Sequence, residues 1–345
     1  MRDLNHPNLI KMITWYDCAD VRAFLMPIYQ SDLDDYLMGR TVANLEAPQQ
    51  GSWRDSRRSS WRDSRRSSWR DSRRGSPSRD THYCFPTNSW LWIGIIGVLD
   101  GLRNFHGLGS GEGRAAHLDL KPKNILISQD GNLVLSDCGL SRVVAAGEPL
   151  TTLCHGGTAS YAPPLPQSDS DPSSPLGMLN EKCDTWSMAC IMMEVMLFLI
   201  YGRGSVERFR INRKTNTGGQ INDSFWEFIP GGETFRLKLV VVEYLNRVQQ
   251  LSVYAGDDPL TNLTLLLRKM FSISPDERLT IGECLTYLNE PPLSPVIAPL
   301  PDPDIGLGGI VDSLHINRSL AKQENELGFY DDANMPRKLQ PISEL

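Results

Sequence analysis

The chain has 345 residues, of which 40% are hydrophobic and 22% are charged, so it can bury a sizeable core in one large or two ordinary domains. Its formal net charge is -6, although residues 51–80 carry ten Arg against four Asp. These values exclude a wholly disordered chain, and they make the basic stretch a local feature of an otherwise acidic protein.

Cysteine usage and the apolar runs bear on the compartment. The seven cysteines form no CxxC pair, which predicts reduced thiols, no disulfide and no structural zinc. The first residues, "MRDLNHPNLIKMITWYD", carry charges and a proline where a signal peptide needs an apolar run. The run 188–202 is interrupted by Glu194 and is shorter than a membrane span of about 18 to 20 residues, so it predicts a buried core helix. We expect an intracellular protein, cytoplasmic or nuclear, that does not enter a membrane.

The first 85 residues divide into an ordered part and a repetitive part. Two runs rich in Ile, Leu, Phe and Tyr, 8–16 and 21–29, predict a pair of strands. The next stretch, "SDLDDYLMGR", predicts a helix start with Ser31 or Asp32 as N-cap. The unit "SWRDSRR" then occurs three times at a period of eight, and only its tryptophans are apolar. Because this period matches no packed repeat, we predict a disordered insertion over 44–85.

Helical periodicity dominates the remainder of the chain. Apolar spacing after Asn88 or Ser89 predicts a helix, and the Asp130-Gly131 step between "NILI" and "LVL" predicts a hairpin. The segment rich in Pro and Ser predicts a loop, and the proline-rich end predicts a flexible tail. In chain order, the further predicted elements are a loop at 165–180, helices at 182–202, 234–250, 261–271 and 278–289, and the tail from 291.

Two polar clusters carry the functional signal. Residues 117–124 read "HLDLKPKN", and "DCG" begins 13 residues later, at position 137. Together they resemble the catalytic loop and the magnesium-binding triplet of eukaryotic protein kinases, and the Lys two positions after Asp119 resembles the serine/threonine group. Three further motifs follow in the family's order: "GTASYAPP" at 157–164, "DTWSMAC" at 184–190 and "SPDERLT" at 274–280.

The resemblance implies a protein kinase-like α+β fold with a mainly helical C-terminal lobe, and it implies ATP-dependent phosphorylation of protein hydroxyls. Phosphoryl transfer requires a carboxylate that orients the incoming hydroxyl, oxygen ligands for Mg²⁺, and positive charge near the transferred group. Asp119 would be the carboxylate, Asn124 and Asp137 would hold the metal, and Lys121 would contact the phosphate. Thr158, from the "GT" of "GTASYAPP", would hydrogen-bond near Asp119 and Lys121.

A nucleotide contact surface is implied by "FLMPIYQSDL" at 24–33, which resembles the fifth strand and the hinge of the family. Met26 would be the gatekeeper, Ile28 and Tyr29 would face the adenine, and Asp32 would bind the ribose hydroxyls. The alternative is that residues 24–29 form only a core strand.

Supporting residues and departures from the family pattern are also visible. Asp184 is expected to accept backbone donors from the catalytic loop, and His117 is expected to have a packing role. Leu118 replaces the arginine that usually receives a phosphorylated activation segment. Leu165 stands where a glutamate usually pairs with Arg278, which predicts a less rigid substrate-binding lobe.

The resemblance covers residues 4–290 without the insertion, and "LNHPNLIKM" at 4–12 resembles the link into the fourth strand. We therefore predict a remnant N-lobe of two strands with the hinge at 1–29, a C-lobe at 30–290 and the tail at 291–345. No GxGxxG occurs, and no phosphate-pairing lysine precedes residue 4. Weak activity is expected from this chain alone.

Two alternatives stay open. The chain could be a pseudokinase or a truncated kinase that acts as a binding or scaffold protein, with its polar set kept only as structure. Alternatively, the Arg-rich repeat could bind nucleic acid through phosphate contacts and tryptophan stacking. Nucleic acid is the less favoured partner, because the aspartate in every repeat dilutes the positive charge; the partners we expect are ATP and a protein substrate.

Overall fold

The computed structural model describes the parts of the chain that contain the predicted site. These are residues 5–18, 21–40, 84–108, 113–145, 148, 158–164, 180–217, 219–229 and 234–290. Leu165, the tail at 291–345 and all but the last two residues of the predicted insertion lie outside the described residues.

The helices of the described residues form most of the structure. In chain order they are α1 (Leu33–Leu37), α2 (Trp90–His106), α3 (Lys182–Tyr201), α4 (Ser205–Arg213), α5 (Leu239–Ala255), α6 (Asp258–Met270) and α7 (Ile281–Asn289). Sequence periodicity located α2 and α3 to within a residue or two, and Asp32 and Ser89 cap α1 and α2 by accepting from backbone amides. The sequence reading missed α4, whose sequence SVERFRINR has little apolar periodicity.

The strands are short and pair antiparallel, several of them as hairpins. They are β1 (Thr14–Cys18), β2 (Val21–Leu25), β3 (Ser31–Asp32), β4 (Gly113–Ala116), β5 (Ile125–Ile127), β6 (Leu133–Leu135), β7 (Arg142–Ala145), β8 (Thr215–Thr217), β9 (Gln220–Asn222), β10 (Trp226–Phe228) and β11 (Phe235–Leu237). The antiparallel pairs are β1 with β2, β4 with β7, β8 with β9 and β10 with β11, while β3, β5 and β6 form one three-stranded sheet. The predicted α+β class is confirmed.

Helix α3 is the centre of the core. It is the one helix among the described residues that is long and apolar enough to cross a membrane, but 89% of its most apolar window is buried inside the protein. Trp186 and Met192 are fully buried, and so is the charged Glu194. An all-round apolar helix is stable in water only when other elements surround it, as α2, α4 and α6 do here.

The segment before β1 is fixed to the large lobe by Asn8. Its carbonyl accepts from the amide of Leu135, and its Nδ2 donates to the carbonyl of Leu133 at 2.7 Å. A Cβ at Gly97 of α2 would lie 2.7 Å from the Asn8 amide, so only glycine permits this approach. The "HPN" stretch therefore anchors residues 5–10 on β6 and α2.

The predicted insertion, 44–85, wrongly includes Phe85, which is buried. This residue is 2% exposed and packs edge-on against Trp92, with 5.2 Å between ring centroids. Its amide donates to the carboxylate of Asp257. The predicted boundary at residue 85 is therefore wrong for Phe85, whose large apolar side chain belongs to the core.

Candidate active site

The predicted catalytic residues meet at the end of the β5–β6 hairpin. β4 leads into residues 117–121, and a single 3-10 turn at Pro122–Asn124 then starts β5. Pro122 is suited to the first position of this turn, because its fixed φ is helical and the turn needs no amide hydrogen there. Asp119 and Asn124 are thereby buried side by side, 8% and 5% exposed.

Both carboxylate oxygens of Asp119 accept hydrogen bonds. Oδ1 accepts from the amide and the hydroxyl of Thr158, at 3.2 and 3.1 Å. Oδ2 accepts from Lys121 Nζ at 2.7 Å and from Asn124 Nδ2 at 3.2 Å. Lys121 also donates to the Thr158 hydroxyl at 3.0 Å. The structure thus brings Asp119, Lys121, Thr158 and Asn124 into one cluster around a single carboxylate.

Asp137 lies at the same end of the hairpin but outside this cluster. The amide and the hydroxyl of Ser136 both donate to the carbonyl of Asn124, at 2.8 and 2.9 Å, which places Asp137 one residue from that contact. Asp137 is exposed, with a φ of 61°, and its Oδ1 accepts from the Gly139 amide. Its carboxylate therefore faces solvent near Asn124, where the two side chains offer oxygen ligands.

Asp184 holds the catalytic loop from below, as predicted. It is fully buried and accepts from the amides of His117 and Leu118 at 2.7 and 2.8 Å, and from His106 Nε2 at 2.8 Å. Burial by itself would raise the pKa of Asp184, but His106 and the amides outweigh it and leave that pKa below its usual value. Leu118, with a φ of 65°, is held in a left-handed conformation by this contact.

His117 has the packing role that the sequence suggested. Its side chain is fully buried beside Phe105, with ring centroids 6.2 Å apart, and its Nε2 donates to the carbonyl of Ser136 at 3.0 Å. The sequence reading did not find His106. Its position in the last turn of α2, facing the start of α3, becomes visible only when the two helices are packed.

The structure brings only part of the predicted nucleotide surface together. Tyr29 and Asp32 line a shallow cleft of about 330 Å³ next to Leu126 of β5. Met26 and Ile28 do not line this cleft and are 47% and 83% exposed. The alternative, that residues 24–29 form only a core strand, is wrong, because Phe24 and Leu25 are 56% and 49% exposed.

Leu126 was missed by sequence reasoning although a signal for it exists. In "NILI", Ile125 and Ile127 are fully buried, and strand alternation directs Leu126 to the opposite face. Because β3 pairs with β5, Asp32 lies opposite Leu126. The leucine therefore lines the cleft beside Asp32, the residue predicted to bind the ribose, and we call it the floor residue.

A buried ionic cluster links α3 and α4 to the loop after Thr158. Arg210 donates to both oxygens of Glu194, at 2.9 and 2.6 Å, and to Asp34 of α1 at 2.5 Å. The Tyr161 hydroxyl donates to Glu194 at 3.0 Å. Burial, and after it the charge of Glu194, raise the pKa of Tyr161 well above its ordinary value, so this hydroxyl stays protonated as a donor.

Arg278 is satisfied without a carboxylate. The guanidinium is buried and donates to the carbonyls of Ser272, Ile273 and Lys182, at 2.9 to 3.2 Å. It also lies 5.2 Å from the ring centroid of Trp186. Among the described residues it has no ion pair, and burial lowers its pKa. The lobe therefore anchors this arginine with backbone dipoles.

The sequence that forms this site is similar to the sequences of known proteins. The protein kinase domain family matches residues 94–288, which contain the cluster around Asp119, α3 to α6 and most of α2 and α7. Cyclin-dependent kinase 1 of Encephalitozoon cuniculi is 31% identical over 174 residues, or 50% of this chain and 53% of the relative. Cyclin-dependent kinase 7 of Xenopus laevis is 24% identical over 251 residues, covering 71% and 64%. Mitogen-activated protein kinase 11 of Arabidopsis thaliana is 28% identical over 211 residues, covering 59% and 49%.

The match to the protein kinase domain family covers more than half of the chain. The chain belongs to the protein kinase family and, within it, to the eukaryotic serine/threonine protein kinases. It spans about half the length of the curated relatives it matches.

Proposed function

We propose that the protein is a serine/threonine protein kinase that transfers the γ-phosphoryl group of ATP to hydroxyl groups of a protein substrate. The observation that carries the proposal is the cluster in which Asp119 accepts from Lys121 at 2.7 Å and from Thr158 at 3.1 Å. A carboxylate that accepts from several donors keeps a fixed orientation, which a residue that orients and deprotonates a hydroxyl needs. Asp119 is assigned this role.

Lys121 and Thr158 set the charge and the position of the reacting groups. The Nζ of Lys121 bridges Asp119 and the Thr158 hydroxyl, so its positive charge lies beside the catalytic carboxylate. We assign Lys121 to the transferred phosphoryl group, whose negative charge such a cation stabilises. Thr158 opens the segment that would hold the substrate, and its two hydrogen bonds to Asp119 tie that segment to the catalytic residue.

The donor set at the hairpin end fits Mg²⁺. Asn124 uses its nitrogen for Asp119, which leaves its amide oxygen as a ligand, and the exposed carboxylate of Asp137 supplies another oxygen nearby. Magnesium prefers such oxygens and keeps several of its waters. When bound with ATP, the metal would supply charge neutralisation for the phosphates.

Tyr29, Asp32 and the floor residue Leu126 are assigned to the nucleotide. Tyr29, Asp32 and Leu126 line one cleft, and Asp32 is half-buried, with its carboxylate accepting from the Asp35 amide as the cap of α1. Burial has the largest influence on the pKa of Asp32 and raises it. Arg40, the only cation among the described lining residues, is already paired with Asp34 and Asp35. We therefore propose weak ATP binding and slow turnover for this chain.

A second candidate function is that of a binding or scaffold protein without turnover. The apolar side chains of Ile13, Phe24, Met26 and Ile28 favour it, because they are 59%, 56%, 47% and 83% exposed, and exposed apolar side chains suit contact with a partner protein. The two candidates differ in whether Asp119 is used.

Phosphate transfer to a Ser/Thr peptide library, measured with radiolabelled ATP and Mg²⁺, tests the proposal. Asp119→Asn should abolish transfer, whereas the control Asp130→Asn, at the exposed tip of the β5–β6 hairpin, should leave it unchanged. A general base is worth about 10² to 10⁴ in rate. Transfer that survives Asp119→Asn, or no transfer from the wild-type chain, would favour the scaffold function.

A further inference from the structure

Two hairpins that no motif singled out contact the segment after Thr158. We name residues 158–164 the substrate loop, and we name the described residues between 215 and 237, which form β8 to β11, the double hairpin. The Ser160 hydroxyl donates to Asp223 Oδ1 at 2.6 Å, and Trp226 Nε1 donates to the Ala162 carbonyl at 2.9 Å. The contacts alternate along the loop, so one face of it lies against the double hairpin.

The part of the double hairpin that makes these contacts is itself fixed by buried cations. Arg213 donates to the carbonyl of Asp223 at 2.6 Å, and its guanidinium lies 3.9 Å from the ring centroid of Phe225. Lys238 donates to the carbonyls of Arg213 and Asn222, at 2.8 and 2.9 Å. Both cations are almost fully buried, so the stretch 222–226 has little freedom to move.

The opposite face of the substrate loop is tied to the core. The Tyr161 hydroxyl contacts Glu194, and the Tyr161 carbonyl accepts from the Ser187 hydroxyl at 2.9 Å. Thr158 contacts Asp119. A shift of the double hairpin would therefore be transmitted through Ser160 to a loop whose first residue holds the catalytic carboxylate.

We propose that Asp223 and Trp226 are positioning residues that hold the substrate loop in register with Asp119 for a protein substrate. The inference rests on the proposed kinase function and adds to it the element that fixes the peptide-binding segment. The sequence motifs predicted a less rigid substrate-binding lobe, because Leu165 cannot form an ion pair with Arg278. The double hairpin supplies rigidity from another direction, through a charge-assisted hydrogen bond and an indole donor.

Variants that remove one hydrogen bond at a time test this role. Asp223→Ala and Ser160→Ala each delete one partner of the same bond, and Ser160→Thr restores the hydroxyl. Trp226→Phe deletes the indole donor but keeps an aromatic ring against Phe235, whose centroid lies 5.0 Å away. Arg236→Ala is the matched control, since Arg236 makes an exposed ion pair with Glu227 of the same hairpin.

Steady-state kinetics with one peptide from the library provide the first measurement. Loss of a charge-assisted hydrogen bond corresponds to about a tenfold change. We expect Asp223→Ala and Ser160→Ala each to raise the KM for the peptide about tenfold, with the KM for ATP unchanged. The double variant should be no worse than either single variant, and Ser160→Thr and Arg236→Ala should resemble the wild type. A merely structural role would change both KM values together.

Amide hydrogen exchange of residues 158–164 provides a second measurement that needs no activity. Faster exchange in Asp223→Ala and Trp226→Phe, but not in Arg236→Ala, is expected. If exchange accelerates while the peptide KM of an active chain is unchanged, or if exchange does not respond, the positioning role is refuted and the kinase function stands. If the wild type transfers no phosphate, the proposed function fails and the substrate role of Asp223 fails with it.

Discussion

The cluster around Asp119 and the hinge segment 26–32 belong to the same predicted site but are built differently. Asp119 is 8% exposed and accepts hydrogen bonds from three side chains, with fully buried Asp184 supporting its loop. In the hinge segment, by contrast, Ile28 is 83% exposed.

The difference shows that the large lobe positions the predicted phosphotransfer residues with its own packing, whereas part of the predicted nucleotide surface is exposed among the described residues. The catalytic loop lies between α2, α3 and the β5–β6 hairpin, all of which share one core. Residues 24–28 have no such surroundings among the described residues. The groups around Asp119 are held in fixed positions by the large lobe. The predicted nucleotide contacts are the less firmly held part of the predicted site.

Removing the charge of Asp184 should have the largest effect, because it breaks the support of the well-built half. Asp184→Asn leaves His106 and two amides without a carboxylate, and breaking a buried pair costs about 3 to 5 kcal/mol. Urea unfolding should show this loss. Glu243→Gln is the control, since its exposed pair with Arg247 should cost less than about 1 kcal/mol. Similar losses in the two variants would contradict the supporting role.

Removing Asp137 should separate the metal site from the rest of the cluster. Mg²⁺ should tighten ATP binding to the wild type in calorimetry, and Asp137→Ala should remove that increment, by about tenfold if one ligand interaction is lost. Asp130→Ala, at the hairpin tip, should keep the increment. The assignment of Asp137 as a ligand fails if its variant responds to Mg²⁺ as the wild type does.

Acid should weaken the support of the catalytic loop by protonating Asp184. The pKa of Asp184 is lowered in the folded protein, so the carboxylate contributes stability above its unfolded pKa of about 3.9. That contribution is lost as the pH falls through the folded value. The free energy of unfolding should therefore fall more steeply below about pH 4 in the wild type than in Asp184→Asn. Parallel pH profiles of the two proteins would argue against a lowered pKa.

Alkaline pH should have the smallest effect on stability. The group responsible is Lys238, which hydrogen-bonds to the double hairpin. Burial, and after it the charge of Arg213, lower the pKa of Lys238 to about 8. Between that value and its ordinary pKa of about 10.4 the unfolded chain binds more protons, so this group stabilises the fold increasingly as the pH rises. The difference in Tm between wild type and Lys238→Met should therefore grow in favour of the wild type from pH 8 to pH 10. A difference that shrinks over this range would show that the folded pKa is not lowered.

Local sequence predicted much of the large lobe because its signals are local. The caps Asp32 and Ser89, the helices α2 and α3 and the residues gathered around Asp119 follow from spacing and from the family motifs. Contacts between distant segments could not be predicted in this way. His106, Arg210 and the double hairpin make contacts across 78, 16 and 63 residues of sequence respectively, and no local pattern indicates these contacts.

In the hinge, the sequence resemblance predicted more contacts than the described structure brings together. The motif "FLMPIYQSDL" assigns four nucleotide contacts by resemblance, but the described structure assembles only Tyr29 and Asp32 into a cleft, with Leu126 as their floor. A resemblance assigns residue types to roles, whereas the burial of those residues depends on what packs against them.

The rate of phosphate transfer by residues 1–345 at saturating ATP, Mg²⁺ and peptide tests the central claim most directly. The account predicts slow transfer that depends on Asp119. Incomplete nucleotide positioning should cost on the order of 10² to 10³ relative to the 1 to 100 s⁻¹ typical of kinases. A rate within that typical range would contradict the weak nucleotide half, and a slow rate that Asp119→Asn leaves unchanged would contradict the catalytic half.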